Sequence, residues 1–252
     1  MNRVVALMPV LGLLVVIGAL CWAAEPNTEQ EKAIAEIKKL GGEVCVYEES
    51  PGKPVIDVNL RGFKLTDACL KHLEALTNLR SLNLWYSEVT DADLEYLKGL
   101  TKLTLLDLSD NKVTDAGLEH LKGFTKLKVL DLGGNKVSDA GLRHLKDMTQ
   151  LRRLYLECPQ VTDAGLEYLR GMTELQGLSL ARTKVTDAGL KQFKGLTKLE
   201  ELHLWSTNVS DAGLEQLKGL TKLQTLELAV TQVTDEGVKN LQQELPKCKI
   251  ER

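Results

Sequence analysis

Eight side chains of this 252-residue chain have the types that grip a partner or move a proton: Trp85, Asp107, Asp131, Arg153, Tyr155, Glu201, His203 and Trp205. A large exposed aromatic marks contact more often than packing, and an imidazole close to carboxylates changes charge near neutral pH. Tyr155, Arg153, Glu201, His203 and Trp205 would form one mixed aromatic and charged cluster; Asp107 and Asp131 would form a small acidic patch. Catalysis would need more: a nucleophile beside a base, paired carboxylates in a cleft, or metal ligands. His72, His120 and His144 stand at positions otherwise held by Tyr or Gln and read as helix surface. His203 has no Ser or Cys at a convincing spacing. No Gly-rich phosphate loop, HExxH or GxSxG occurs, and no Cys/His spacing suits zinc. The residues point to binding without catalysis, metal or cofactor.

Spacing shows what must hold these residues. The hexamer VTDAGL at Val113–Leu118 returns at Val161 and Val185, and close variants start at Leu65, Val89, Val137, Val209 and Val233. The starts form one evenly spaced series, without insertion or deletion. Each unit, such as LKVLDLGGNKVSDAGLRHLKDMTQ from Leu127, alternates Leu130, Asp131 and Leu132, the period of a strand with one buried face. Ser138-Asp139 then starts a helix whose first N–H groups need acceptors. Leu142 and Leu145 share one helix face, and the helix should run to about Lys146. No such unit buries its own apolar edge, so neighbours must stack, and an inserted residue would throw them out of line.

In this register the outward mid-strand positions run Asn59, Asn83, Asp107, Asp131, Tyr155, Ser179, His203 and Glu227. The next outward column runs Arg61, Trp85, Ser109, Gly133, Glu157, Ala181, Trp205 and Ala229. These columns vary while the Leu and Val positions barely change, so what distinguishes the units sits here. Asp131, facing out, should tolerate substitution within about 0.5 kcal/mol. Trp85 and Trp205 lie five strands apart, about 24 Å at roughly 4.8 Å per strand, too far for one aromatic cage. The Asp repeated at 67, 91, 115, 139, 163, 187, 211 and 235 reads as a helix-start device. A metal ladder is the weaker reading.

The pattern L-x-x-L-x-L at 79, 103, 127, 151, 175, 199 and 223, with VIDVNL at Val55, resembles the leucine-rich-repeat signature. The resemblance covers about Val55 to Val238 and places the chain with the ribonuclease-inhibitor-like superfamily. It implies an α/β fold, a right-handed solenoid arc of eight 24-residue strand–helix units with parallel strands concave and helices convex. Its L-x-x-L-x-L-x-x-x-x-V-T-D-A-G-L form is similar to the cysteine-containing class, whose best-known members are substrate receptors of ubiquitin ligases. It is also similar to short exported repeat proteins of bacteria. The resemblance implies recognition through the concave face, with a protein as the first choice of partner and a polysaccharide as the second. A ubiquitin-ligase receptor and a passive envelope component are the competing roles.

The ends read as caps. Residues 25–54 hold a helix (Ile34, Ile37, Leu40 on one face) and a hairpin around Pro51-Gly52, covering the array at 55–238. Residues 239–252 close it with a helix end, a break at Pro246 and a polar tail. Ahead of these, Arg3, the apolar run at 4–20 and small residues to Ala24 have the layout of a secretory signal peptide over residues 1–24. An uncleaved membrane anchor at 4–20 is the competing reading. Export would put the chain in the periplasm or outside the cell and permit disulfides. Cys45, Cys69, Cys158 and Cys248 would then allow three pairings, Cys45–Cys69 among them. The net charge of −3 comes without any basic block, which excludes a nucleic-acid stripe. Expressed with its own leader-like segment in a secreting bacterium, the protein should begin near Ala24 or Glu25 by intact mass. An intact Met1 recovered from the membrane fraction would instead establish the anchor.

Overall fold

The computed structural model describes residues 28–252, so the signal-peptide segment lies outside the described residues. Ten strands form one sheet in chain order: β1 (Glu43–Val46), β2 (Val55–Asn59), β3 (Ser81–Asn83), β4 (Leu105–Asp107), β5 (Val129–Asp131), β6 (Arg153–Tyr155), β7 (Gly177–Ser179), β8 (Glu201–His203), β9 (Thr225–Glu227) and β10 (Lys249–Glu251). β1 pairs antiparallel with β2, and all later pairs are parallel. From β2 to β9 the register keeps the step of the repeat, so Leu82, Leu106, Leu130, Leu154, Leu178, Leu202 and Leu226 stack in line. All seven are fully buried. The sequence predicted a polar tail after Pro246; instead Lys249–Glu251 adds a strand, because Leu245 and Cys248 bury against the last unit and bring the chain back beside β9.

The first cap is a helix, α1 (Glu29–Lys39), started by a reciprocal pair in which Thr28 and Glu31 each accept the other's backbone N–H. Ala33 and Ile37 seal the first unit, with Ile34 and Leu40 packed beside them. The other helices are α2 (Asp67–Leu73), α3 (Asp139–Leu142), α4 (Asp187–Leu190), α5 (Asp211–Leu214) and α6 (Asp235–Glu244). The helix expected from Ser138 to about Lys146 is thus one α turn only, and elsewhere 3₁₀ turns take over, as at Asp93–Leu97, Gly117–Gly123 and Gly165–Leu169. The reason is width. Strands repeat about every 4.8 Å, whereas packed α-helices need about 8–10 Å; the slimmer 3₁₀ turns lessen that mismatch. His72, His120 and His144, expected on the helix surface, are half-buried in the column they share with Tyr96 and Tyr168.

The repeated Asp does something the sequence did not disclose. Outside the second unit, the cap on the helix start is the Ser or Thr just before it, as where Ser138 accepts from Ala140 N. The Asp reaches forward by one unit instead. Asp115 Oδ1 accepts from Ser138 N at 2.7 Å, and Asp115 Oδ2 accepts from Ser138 Oγ at 2.6 Å. The same two bonds join Asp91 to Thr114, Asp139 to Thr162, Asp163 to Thr186, Asp187 to Ser210 and Asp211 to Thr234. The carboxylate needs room, and the following unit's Gly supplies it: a Cβ on Gly141 would collide with Asp115 Oδ1.

Both exceptions to that Gly now have a cause. Cys69 belongs to the first unit, which has no preceding Asp to accommodate. Asp93 fills the slot in the second unit and itself accepts from Thr90 N and Thr90 Oγ1, both at 2.7 Å, doing from inside the unit what Asp67 does not do from outside. Among the described residues no group of acidic, His or Cys side chains could hold a metal ion.

Cys45, Cys69, Cys158 and Cys248 are free thiols, so the Cys45–Cys69 bridge is not formed. Cys158 serves the backbone instead. Its Sγ donates to Leu132 O at 3.2 Å, as Asn135 Nδ2 donates to Leu108 O one unit earlier. Burial pushes the Cys158 thiol up to about 11, which keeps that donor protonated. The Asp clamp can be tested by a double-mutant cycle. Asp115→Ala should cost about 1–3 kcal/mol, because it strands a half-buried N–H, and Gly141→Ala should cost about 1–3 kcal/mol through overpacking. Together they should cost clearly less than their sum by urea unfolding, since the first change vacates the space the second fills. Strict additivity would refute the coupling.

Candidate binding face

The strand face divides into two halves that use their side chains differently. In the first half the mid-strand residues serve the backbone. Asn59, Asn83, Asp107 and Asp131 each accept, through Oδ1, from the N–H two positions on, at Arg61, Trp85, Ser109 and Gly133. Such Asx turns end the strand locally. Asp107 and Asp131 are register partners, as the sequence implied, but both are half-buried and engaged. Burial pushes the Asp131 carboxyl up to about 7; the Gly133 N–H opposes this, and the negative charges of Asp107, Glu157 and Asp110 add to it. The expectation that Asp131 simply faces solvent is therefore corrected: it is half-buried and accepts from Gly133 N.

In the second half the same column carries Tyr155, Ser179, His203 and Glu227, and side chains pair with one another. Arg153 Nη2 lies 3.0 Å from Glu201 Oε1, although β7 stands between them. Gly177 on β7 lies beneath this pair: a Cβ there would stand 3.2 Å from Arg153 Cγ, so the arginine stem would have to shift by a few tenths of an ångström. The Tyr155 hydroxyl and the Glu201 carboxylate hold the guanidinium above its ordinary range against partial burial. His203 Nδ1 contacts Glu227 Oε2 at 2.7 Å, so its carboxylate partner is Glu227. Ser179, small and buried, donates to Glu157 at 2.9 Å. Tyr155, Arg153, Glu201 and His203 thus sit together across β6 to β8, and Glu227 and Glu157, from the two outward columns, join them through His203 and Ser179.

The two tryptophans were expected to be exposed, and both are half-buried. An arginine from the preceding unit covers each ring: Arg61 lies 4.4 Å from the Trp85 centroid, and Arg182 lies 4.7 Å from that of Trp205. The available signal was an Arg at or next to the matching position of the unit before. Trp205 lies two residues beyond His203 on the segment leaving β8, with Arg182 as its partner; Trp85, on the segment leaving β3, lies apart from the cluster. Leu105 and Val129, half-buried and apolar on the same strand face, lie between the two groups.

Family models described as leucine rich repeat match residues 77–137 and 219–241. No curated protein matches the chain. Among solved structures it is similar to internalin C2 of Listeria monocytogenes, with 27% identity, coverage of 83% of this chain and 88% of that one, and a TM-score of 0.62. A second internalin from that organism aligns at 17% identity over 87% of this chain and 94% of that one, with a TM-score of 0.32.

The Asp131 carboxyl gives this face a pH signature. Between about pH 4 and 7 the folded chain keeps a proton that the unfolded chain releases, so this group's contribution to stability falls as pH rises through that window. Asp131→Asn should therefore be more stable than the parent above pH 7, by at most about 2–4 kcal/mol, with the gap closing towards pH 4. Urea midpoints at pH 4 and pH 8 measure it. A variant less stable than the parent at pH 8 would contradict the account.

Proposed function

We propose that this chain, a leucine-rich-repeat protein, is an exported, non-catalytic module that holds a protein partner on the second half of its strand face. Solenoids of this kind offer extended concave binding surfaces. The observation that carries the reading is the Arg153–Glu201 bridge over Gly177. A long charged pair spans three strands over a residue without a side chain, on the same half of the face as Tyr155, His203 and the Arg182-covered Trp205. Preorganised side chains lose less entropy when a partner arrives. Aromatic and Arg side chains lead such interfaces energetically, and the apolar Leu105 and Val129 extend the contact area on one side. The paired state of His203 and the buried, protonated thiol of Cys158 support binding over chemistry. Among the described residues no helix is long and apolar enough to cross a membrane; export rests on the leader-like segment at 4–20.

The experiment is capture of a partner from an envelope extract of the source cell, followed by titration against variants. Trp205→Ala and Tyr155→Ala should each weaken binding by about 2 kcal/mol. Lys194→Ala, exposed on the opposite side, should leave it unchanged. If Lys194→Ala weakened binding more than either aromatic change did, the functional face would be the convex one. If no discrete partner depended on Tyr155 or Trp205, a passive structural role would stand in its place.

A further inference from the structure

A second group of side chains lies at the other end of the arc, away from the Tyr155 cluster. Arg61, Gly62, Trp85, Tyr86 and Asp110 line one open groove where β2, β3 and β4 end. Tyr86 is 68% exposed, a large aromatic held out into solvent. It occupies a left-handed turn (φ 53°) that recurs at Gly62, Asp110, Gly134, Arg182, Ser206 and Val230. Its backbone N–H donates to Ser109 O at 3.0 Å, which fixes the turn and aims the ring outward. Beside it, Trp85 is immobilised: Arg61 covers its ring, and its Nε1 donates to Asp110 Oδ2 at 2.8 Å. The groove thus combines one open aromatic, one guanidinium and one carboxylate, and the two charges cancel.

We propose that this groove binds a neutral, β-linked gluco-configured pyranose unit of a polysaccharide, independently of the protein-binding face. Such sugars carry their hydroxyls equatorially, leaving a flat C–H face that stacks on an exposed ring such as Tyr86. The hydroxyls around the rim both donate and accept, so they satisfy a carboxylate and a guanidinium together. The balanced charge selects against strongly anionic or cationic ligands, whose own charge would have no surplus partner here. A proline-rich peptide also docks on aromatic grooves, but proline has no N–H to offer Asp110, and the face of Trp85 under Arg61 is already taken. An extended peptide cannot pair with the backbone here, because neighbouring strands already use the ladder groups of β2, β3 and β4.

The test is calorimetric titration of the purified chain with cellohexaose, laminarihexaose and chitohexaose, with decaproline as the competing probe. At least one oligosaccharide should bind saturably. Tyr86→Gly and Arg61→Ala should each weaken it by at least about tenfold, and Trp205→Ala should leave it unchanged. Tyr86→Gly should also melt no lower than the parent, because glycine suits a positive φ; this separates loss of a ligand contact from loss of fold. Failure of all three sugars to bind, persistence of binding in Tyr86→Gly, or binding of decaproline alone would overturn the proposal. Loss of sugar binding in Trp205→Ala would do so too, by placing the sugar on the other face. None of these results bears on capture of a protein partner through Tyr155.

Discussion

The bond from Asp91 and its five successors to the next unit's Ser or Thr sets the geometry on which the rest of this protein depends. It spans the boundary between units at the point where the strand side gives way to the helix side, and it recurs six times from Asp91 to Asp211. One carboxylate satisfies a backbone N–H and a hydroxyl, and that hydroxyl in turn caps its own helix start. From the third unit on, each unit is thereby oriented by its predecessor. The Leu and Val core supplies the bulk of the stabilisation through burial, but apolar contact is non-directional. The directional clamp, and the glycine that makes room for it, restrict how two neighbours can stack.

A uniform stack with slim convex turns gives a regular strand face, and that regularity lets small differences matter. Where Asn or Asp occupies the mid-strand column, the side chain folds back to end its own strand and presents little to a partner. Where Tyr, Ser, His and Glu replace them, the local backbone bond is lost and the side chains engage across strands. The Arg153–Glu201 bridge, passing over Gly177, links three adjacent strands into one surface. The two halves of the arc therefore differ in kind although their backbones follow the same register. The tryptophans mark the strand-end rim of each half, each steadied by an arginine from the unit before.

On the proposed reading, specificity comes from a strand face whose side chains are already set in place. Its side chains are held by pairing rather than by enclosure: Arg153 by Glu201, His203 by Glu227, Trp85 by Arg61 and Asp110. Groups fixed in that way give up little freedom on binding. The strand positions that repeat and the strand positions that vary have separate duties, so the contact surface can change from unit to unit without disturbing the core.

The sequence by itself determined the architecture. A constant period with invariant Leu spacing admits one register, because a shift by one position would turn every buried leucine to solvent, and the structure has that register from β2 to β9. The outward columns followed from it, and with them the neighbourhood of Tyr155, Arg153, Glu201 and His203. Pairings were decided only in three dimensions. Asp115 and Ser138 belong to successive units, Arg153 and Glu201 to units with another between them. Nothing local distinguishes a side chain that caps its own helix from one that reaches into the next unit. The exposure of Trp85 and Trp205 was misjudged for the same reason: the arginine that covers each ring comes from a neighbouring unit. The burial of Asp131, and the carboxylates of Glu157 and Asp110 that join Asp107 beside it, exist only once the units stack. Period and polarity are properties of the chain; who meets whom across a unit boundary is a property of the stack, set by distances of a few ångströms that sequence spacing does not contain.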